Sequence, residues 1–423
     1  MAPLEHGNPG TGMPRSENLS KLRSALRALR HRNYRLFFAG QLISLVGTWM
    51  QNIAQSWLVY RLTGSSFLLG SIGFASQIPI FLLAFVGGMV ADRYNRHRII
   101  VAAQAASMVL ALVLSVLTLT ETVRIWHLFV LSALLGIVNA FDMPTRQAFV
   151  VELVGKEDLM NAIALNSSVF NGARVLGPAV AGILIAGIGE GWCFFANAIS
   201  YVAVIVGLLL MKLDARTGTA RNRSAISNVI EGFNFVRRAR EIRSMLLLLG
   251  LVSIVGMPYS VLMPIMADKV LQGGPRGLGI LMGSTGLGAL IGSFAMAAKP
   301  NTRGLGRLIA CACAGFASGL ILFSISRYFW ISSLFLVPVG FSLMVQMASS
   351  NTLVQIMVPD DLRGRVMATH VWMFMGMAPF GSFLAGSIAA HIGAPNTILT
   401  GGLLCLAGAG LFASRLRRLR LAS

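Results

Sequence analysis

Twelve apolar stretches recur along the chain, and no soluble architecture can hide that much continuous apolar sequence. They lie near 35–60, 67–91, 98–120, 125–147, 161–187, 192–211, 244–268, 277–298, 307–326, 329–354, 366–391 and 394–414. A hydrocarbon core about 30 Å thick is crossed by about 20 residues of helix. Helices are expected because backbone groups in lipid must be satisfied within their own segment. Composition agrees: of 423 residues 55% are hydrophobic and only 12% charged, where soluble domains carry about 25% charge. A cytosolic enzyme, a disordered hub and a secreted disulfide scaffold are excluded. The fold class is an all-α integral membrane protein.

The net charge of +20 comes from 35 Lys and Arg against 15 Asp and Glu. These bases sit in short clusters between apolar runs, which marks one side of a membrane rather than a nucleic-acid surface. With the N-terminus placed in the cytoplasm, 29 Lys and Arg fall on the inner side and 5 on the outer, with Arg174 inside a span. Both termini are therefore expected in the cytoplasm of a plasma-membrane protein. Residues 1–19 lack periodicity and are expected to be disordered. Residues 20–33 place Leu22, Leu26 and Leu29 among arginines, as in a basic helix on an anionic leaflet. The longest polar interruption, 212–243, carries Ile226, Val229, Ile230, Phe233 and Val236 at helical spacing, and reads as a cytoplasmic linker with an amphipathic helix. The chain thus divides into a tail and basic helix (1–33), a six-helix bundle (34–211), the linker (212–243), a second six-helix bundle (244–414) and a basic tail (415–423). Residues 154–184 parallel 358–388, with Asp158-Leu159 matching Asp361-Leu362, so the fifth span repeats as the eleventh.

Ionisable groups in apolar runs are costly, about 2.5–3.5 kcal/mol at mid-membrane. Asp142 and Arg174 lie deepest. Their depths differ by roughly 10 Å at 1.5 Å per residue. Arg146, four residues on from Asp142, is the simpler partner; a direct Asp142–Arg174 pair needs a long arginine reach. These three are the candidates for coupling to protons. Polar stripes mark a wet path or interhelical hydrogen bonds: Gln41, Ser44, Thr48, Asn52 and Gln55 on the first span; Ser132, Asn139, Asp142 and Arg146 on the fourth; Ser167, Asn171, Arg174 and Pro178 on the fifth; Ser342, Gln346 and Ser349 on the tenth. The eleventh offers an aromatic–methionine surface with Trp372, Met373, Phe374, Met375, Met377 and Phe380, suited to core packing or to a large amphipathic ligand. His127 and His370, near membrane edges, read first as interfacial residues and second as proton sites.

No Walker A, GxSxG or HExxH pattern occurs. Cys193, Cys311, Cys313 and Cys405 lie in apolar runs without CxxC spacing. No enzyme, cofactor, metal or nucleic-acid partner is expected.

Two local patterns are distinctive. Gly88-Met-Val-Ala-Asp92-Arg93-Tyr-Asn-Arg96-His-Arg98 closes the second span. Gly172-Ala-Arg174-Val-Leu-Gly177-Pro178-Ala-Val-Ala-Gly182 lies within the fifth. The adjacent Gly87 and Gly88 allow close helix packing. With Gly40-Gln41, Ser44, Gly47, Trp57, Thr63-Gly64-Ser65, Pro79 and Pro144-Thr145-Arg146, these patterns make the chain resemble the enterobactin-exporter-like and macrolide-efflux-like branch of the major facilitator superfamily. The resemblance implies twelve helices in two pseudo-symmetric bundles. It implies a cytoplasmic gate at Gly88, Asp92, Arg93, Arg96 and Arg98, with Asp92 latched near Arg363 and Arg365. In the second half Met296 stands where an acid would complete an equivalent latch. Gly177, Pro178 and Gly182 are implied as a hinge or seal. A substrate path is expected along Gln41, Thr48, Asn52, Gln55, Asn139, Asn171, Gln346, Trp372 and Met373. The implied activity is export of a small amphipathic molecule, a siderophore or drug, by a monomer exchanging it for protons. Uptake, facilitated diffusion or lipid movement are the alternatives within transport, and a non-transporting sensor lies outside it.

Overall fold

The computed structural model describes residues 26–212, 225–299 and 302–421, which are helical apart from short connections, with no strand among them. Twelve long segments follow the apolar pattern: α1 Arg32–Thr63, α2 Ser66–Arg93, α3 Arg96–Leu119, α4 Ile125–Val154, α5 Leu159–Ile188, α6 Glu190–Leu209, α7 Arg240–Val270, α8 Gly274–Ala297, α9 Leu305–Ile325, α10 Phe329–Met357, α11 Asp360–Ile392 and α12 Ala394–Leu421. Eleven are both long and apolar enough to cross a membrane; α1 is the exception. Its polar residues, from Gln41 through Ser44, Thr48, Gln51, Asn52 and Gln55 to Ser56, dilute its apolar face. Local chemistry sets the boundaries. Ser65 caps α2 by accepting the Leu68 N–H at 3.3 Å, and Asn95 caps α3 by accepting that of Arg98 at 3.1 Å.

Two spans expected to be simple are interrupted. The α7 segment passes through a π-helical turn at Val252–Gly256, a 3-10 turn at Met257–Ser260 and a second π turn at Met266–Val270. Pro258 and Pro264 each remove a backbone donor inside it. The α11 segment breaks between Met375 and Ala378, just before Pro379. Ser253 of α7 donates to the Phe374 carbonyl there, at 2.5 Å, satisfying backbone in the last turn before the break.

Helices α1–α6 pack on one another, chiefly α2 on α4 and α6 on α1 and α3, and α8, α9, α10 and α12 pack together in the second set. The sets meet along two seams: α5 against α8, and α2 against the second part of α11. Both seams lie toward the end that carries the α1–α2 and α5–α6 connections, here termed the distal end. The other end carries the α2–α3, α4–α5 and α10–α11 connections and most arginines, and is termed the basic end.

Residues 1–25, with Leu22, and 213–224 lie outside the described residues. The described part of the segment before α1 is a 3-10 turn, Arg27–Arg30. It is clipped onto Asp158 at the start of α5. That carboxylate is 1% exposed and meets Arg30 at 2.8 Å, His31 at 2.8 Å and, as an ion pair without aligned hydrogen bonding, Arg27 at 2.6 Å. The Ala28 N–H donates to Asn161 Oδ1 at 2.8 Å, and Tyr34 donates to the Ala162 carbonyl at 3.0 Å. The linker helix, Ala225–Arg238, packs on the first part of α11. There Glu231 pairs with Arg365 at 2.5 Å, and Gly232 lets the backbones approach, since a β-carbon would lie 2.6 Å from the Arg365 carbonyl oxygen. It braces the eleventh span.

The hydrogen bond from His31 holds the Asp158 carboxyl below its ordinary value; burial opposes this, and the charges of Arg27 and Arg30 reinforce it. A carboxyl depressed in the folded protein contributes stability above its unfolded pKa and loses it as pH falls through the folded value. The clip is therefore expected to persist down to pH 5 and to open only in acid below about 4. At neutral pH, Asp158→Asn is expected to open it. Hydrogen exchange at the Ala28 amide reads both, and unchanged protection in Asp158→Asn would show that the cations are not the fastening.

Candidate substrate passage and its seals

Burial along α5 marks a candidate passage. Met160, Ile163, Ser167, Phe170 and Arg174 fall on one helical face. The first four are exposed and Arg174 is half-buried. Farther along the same face, Gly177, Pro178, Ala181 and Ile185 are buried. One stripe is thus open toward the basic end and sealed toward the distal end, and the change comes at Arg174. The outward face, with Leu176 and Ile183, stays exposed, as a lipid-facing side does.

Glycines make the α5–α8 seam. A β-carbon at Gly182 would lie 3.0 Å from the Pro275 carbonyl oxygen; one at Gly279 would lie 2.6 Å from that of Pro178. Gly177 faces α1, where a β-carbon would meet Trp49 and, at 3.1 Å, the Met50 nitrogen. Helix α5 runs unbroken through Pro178. Gly177 thus packs α5 on α1, while Pro178 and Gly182 lie in the close-packed seam with α8. The α2–α11 seam repeats the device. Gly70 and Gly386 oppose each other so closely that a β-carbon on Gly70 would lie 2.8 Å from the Gly386 Cα. Phe67 and Phe74 pack on Phe383, Phe74 and Phe81 on Phe380, and Phe81 stacks on Trp372 with centroids 5.2 Å apart. Five turns along that face of α2, Gly88 has no neighbour within 4 Å of a β-carbon position. The packing glycine of the pair is Gly87, set against Ala140 of α4.

A polar latch completes the distal closure. The Tyr60 hydroxyl on α1 donates to Asp268 of α7 at 2.6 Å, and Lys269 lies 6.0 Å from the Tyr60 ring centroid. Beside it Arg61 holds Glu190 at 2.7 and 3.3 Å. The sequence reading missed Tyr60 and Asp268; an acid next to a base at a span's outer end was the available signal.

At the basic end the expected latch is not made. Asp92 is exposed and meets only Arg96, at 3.4 Å, while Arg96 binds Glu152 at 2.6 Å. Arg363 pairs with Asp360 and Arg365 with Glu231. With the two sets joined distally, Asp92 is not brought to α11. No ion pair of Arg93 or Arg98 is found among the described residues.

The deepest charges form a network inside the first set. Arg146 donates to Asp142 on its own helix and to Gln41 of α1. Asp142, 4% exposed, also accepts from Gln104 of α3 at 3.2 Å. Gln104, the one amide in its apolar run, was overlooked. Asp142 is thus partnered by Arg146 and not by Arg174, whose guanidinium instead lies 5.7 Å from the Trp49 ring centroid. The remaining stripe residues separate. Asn52 and Trp372 are exposed, while Thr48, Gln55, Asn139 and Met373 are half-buried, Gln55 donating to Ser132 at 2.6 Å. Asn171 is buried and donates to the Ser167 carbonyl at 2.9 Å. Gln346, 1% exposed, does not face the passage here. The α10 stripe turns inside the second set, where Ser349 reaches Met296 and Gly315 abuts Ser342. His127 closes a cap with the Arg124 N–H at 2.9 Å, and His370 is buried. No cluster of metal-ligating side chains occurs among the described residues.

Comparison with known proteins agrees with this fold. A family model described as transmembrane secretion effector matches residues 23–422. The chain is 27% identical to the staphyloferrin A transporter of Staphylococcus aureus, covering 91% of this chain and 97% of that one. It is 26% identical to the multidrug efflux pump Tap of Mycolicibacterium fortuitum, over 88% and 93%. It is 24% identical to the enterobactin exporter EntS of Shigella boydii, over 88% of each. Among solved structures, a bacterial homologue of the human lysosomal transporter Spinster, inward-facing and unoccupied, superposes with a TM-score of 0.67 at 13% identity, over 90% of this chain and 96% of that one.

Proposed function

Because the chain belongs to the transmembrane secretion effector family of major facilitator transporters, we propose that this multi-pass membrane transporter exports a small amphipathic molecule, siderophore- or drug-like, in exchange for protons. The observation that carries the reading is the α5 stripe, solvent-exposed as far as Arg174 and sealed beyond it. A passage open at one end and closed at the other is one state of an alternating-access cycle. The basic end is cytoplasmic by its excess of arginine, so the arrangement is inward-open, ready to load cargo for export. When the two sets rock, the distal glycine seams and the Tyr60–Asp268 latch part. Asp92, Arg93, Arg96 and Arg98 then close the basic end against the start of α11, with Gly88 free to accept a close approach. The buried Asp142–Arg146–Gln41 network is the element whose protonation drives the return. The siderophore and drug relatives support the cargo class, and the protein acts as a monomer.

Inverted vesicles test this. With an acidic lumen, a fluorescent siderophore conjugate is expected to accumulate severalfold, and the gradient to collapse on adding a protonophore along with the accumulation. Accumulation indifferent to the gradient would remove antiport and leave facilitated diffusion.

A further inference from the structure

We infer that Arg174 is the recognition point for an anionic group on the cargo, which makes the transported molecule an amphipathic organic anion. This rests on the passage proposed above and deepens it.

Depth is the first ground. Arg174 lies fifteen residues from Leu159 and fourteen from Ile188, the two ends of α5. At 1.5 Å per residue that is about 20 Å from either end. A side chain cannot snorkel that far.

Pairing is the second. Three other arginines of the first set have carboxylates: Arg146 has Asp142, Arg61 has Glu190 and Arg96 has Glu152. Arg93 and Arg98, which have none, are exposed at the ends of their helices, where water solvates them. Among the described residues no carboxylate lies within 4 Å of Arg174. Asp142, the other deep charge, is already engaged by Arg146 and Gln104. A guanidinium held at mid-membrane without a protein anion is completed by an anion that comes and goes.

Position is the third. Arg174 is the last accessible residue of the α5 stripe before the seal, so a molecule entering from the basic end meets it at the floor. The indole of Trp49 supports the guanidinium, and Phe170 packs edge-on against that indole with centroids 5.7 Å apart. The stacked arginine is preorganised, and its planar fork suits a carboxylate or similar oxyanion. Phe170, exposed beside it, offers apolar contact for the rest of the molecule.

The test uses the full chain in phosphatidylcholine nanodiscs and two probes of one shape, 2-naphthoate and its neutral carboxamide. Titration calorimetry is expected to show naphthoate binding about tenfold tighter than the amide, the size expected for one charge-assisted pair. Arg174→Gln is expected to erase that preference, and Arg174→Lys to keep part of it. Equal affinity for both probes, binding of neither, or a preference that survives Arg174→Gln overturns the assignment. So does loss of naphthoate binding when phosphatidylglycerol is added to the discs, which would make a lipid headgroup the anion. Whether the passage itself stands is read separately. In a Cys311→Ala background, Asn52→Cys labelled by a water-soluble thiol reagent from the basic end keeps the passage even if the anion assignment fails.

Discussion

Replacing Gly70 with leucine is expected to prevent the distal end from closing. The α2 and α11 backbones touch there, and the side chain has only the Gly386 Cα and the Ser382 carbonyl to displace. Neither is the flexible end of a side chain, so the helices must separate. Overpacking of this kind costs about 1–3 kcal/mol, which lowers the sealed population by roughly 5- to 150-fold at 1.4 kcal/mol per decade. Asn52→Cys, in the background lacking Cys311, measures it. In the parent, labelling comes from the basic end; in Gly70→Leu, labelling from the distal side is expected to rise by about that factor, and export to fall with it. Gly88→Leu is the control. Nothing lies within 4 Å of a β-carbon there, so the sealed distal end is expected to be undisturbed, while closure of the basic end suffers. Equal effects of the two substitutions would remove the close-packed seam from the mechanism.

Asp142→Asn has the second large effect. It neutralises a carboxylate that is 4% exposed and leaves Arg146 facing amides. Breaking a buried pair from one side costs about 3–5 kcal/mol. The lower end applies, because a quarter of the Arg146 side chain remains exposed and Gln41 still accepts from it. The variant is expected to insert, to melt lower and to lose pH-driven transport. Asp142→Asn with Arg146→Gln is expected to recover most of the melting temperature and none of the pH dependence. Recovered stability together with recovered coupling would assign proton exchange elsewhere.

Eleven of the twelve long segments were legible because hydropathy and length report directly on lipid burial, and only α1, with its polar stripe, falls short on hydropathy. Their interruptions were legible in principle at Pro258, Pro264 and Pro379. What the pattern left open is the direction of a polar face. Ser342, Gln346 and Ser349 make the same periodic pattern whether they turn to water or into a helix–helix seam, and only the neighbours α8 and α9 decide. Of the adjacent Gly87 and Gly88, one packs and one does not, a matter of 100° in phase. The pairing of Asp158 with Arg27, Arg30 and His31 joins residues 127 or more apart, beyond any local pattern. The Asp142–Arg146 contact, four residues apart, needed only helix geometry.

The polarity of α1 bears on how the protein is made. A segment carrying Gln41, Gln51, Asn52 and Gln55 gains little by partitioning alone, so its commitment to the bilayer during synthesis is weak. Its main shelter, α5 and α6, is translated long afterwards. Until α4 and α6 arrive, Gln41, Gln51 and Gln55 lack the Arg146, Asn197 and Ser132 partners they have in the finished fold. Polar-to-leucine changes in α1 should speed assembly even where they spoil the cargo route.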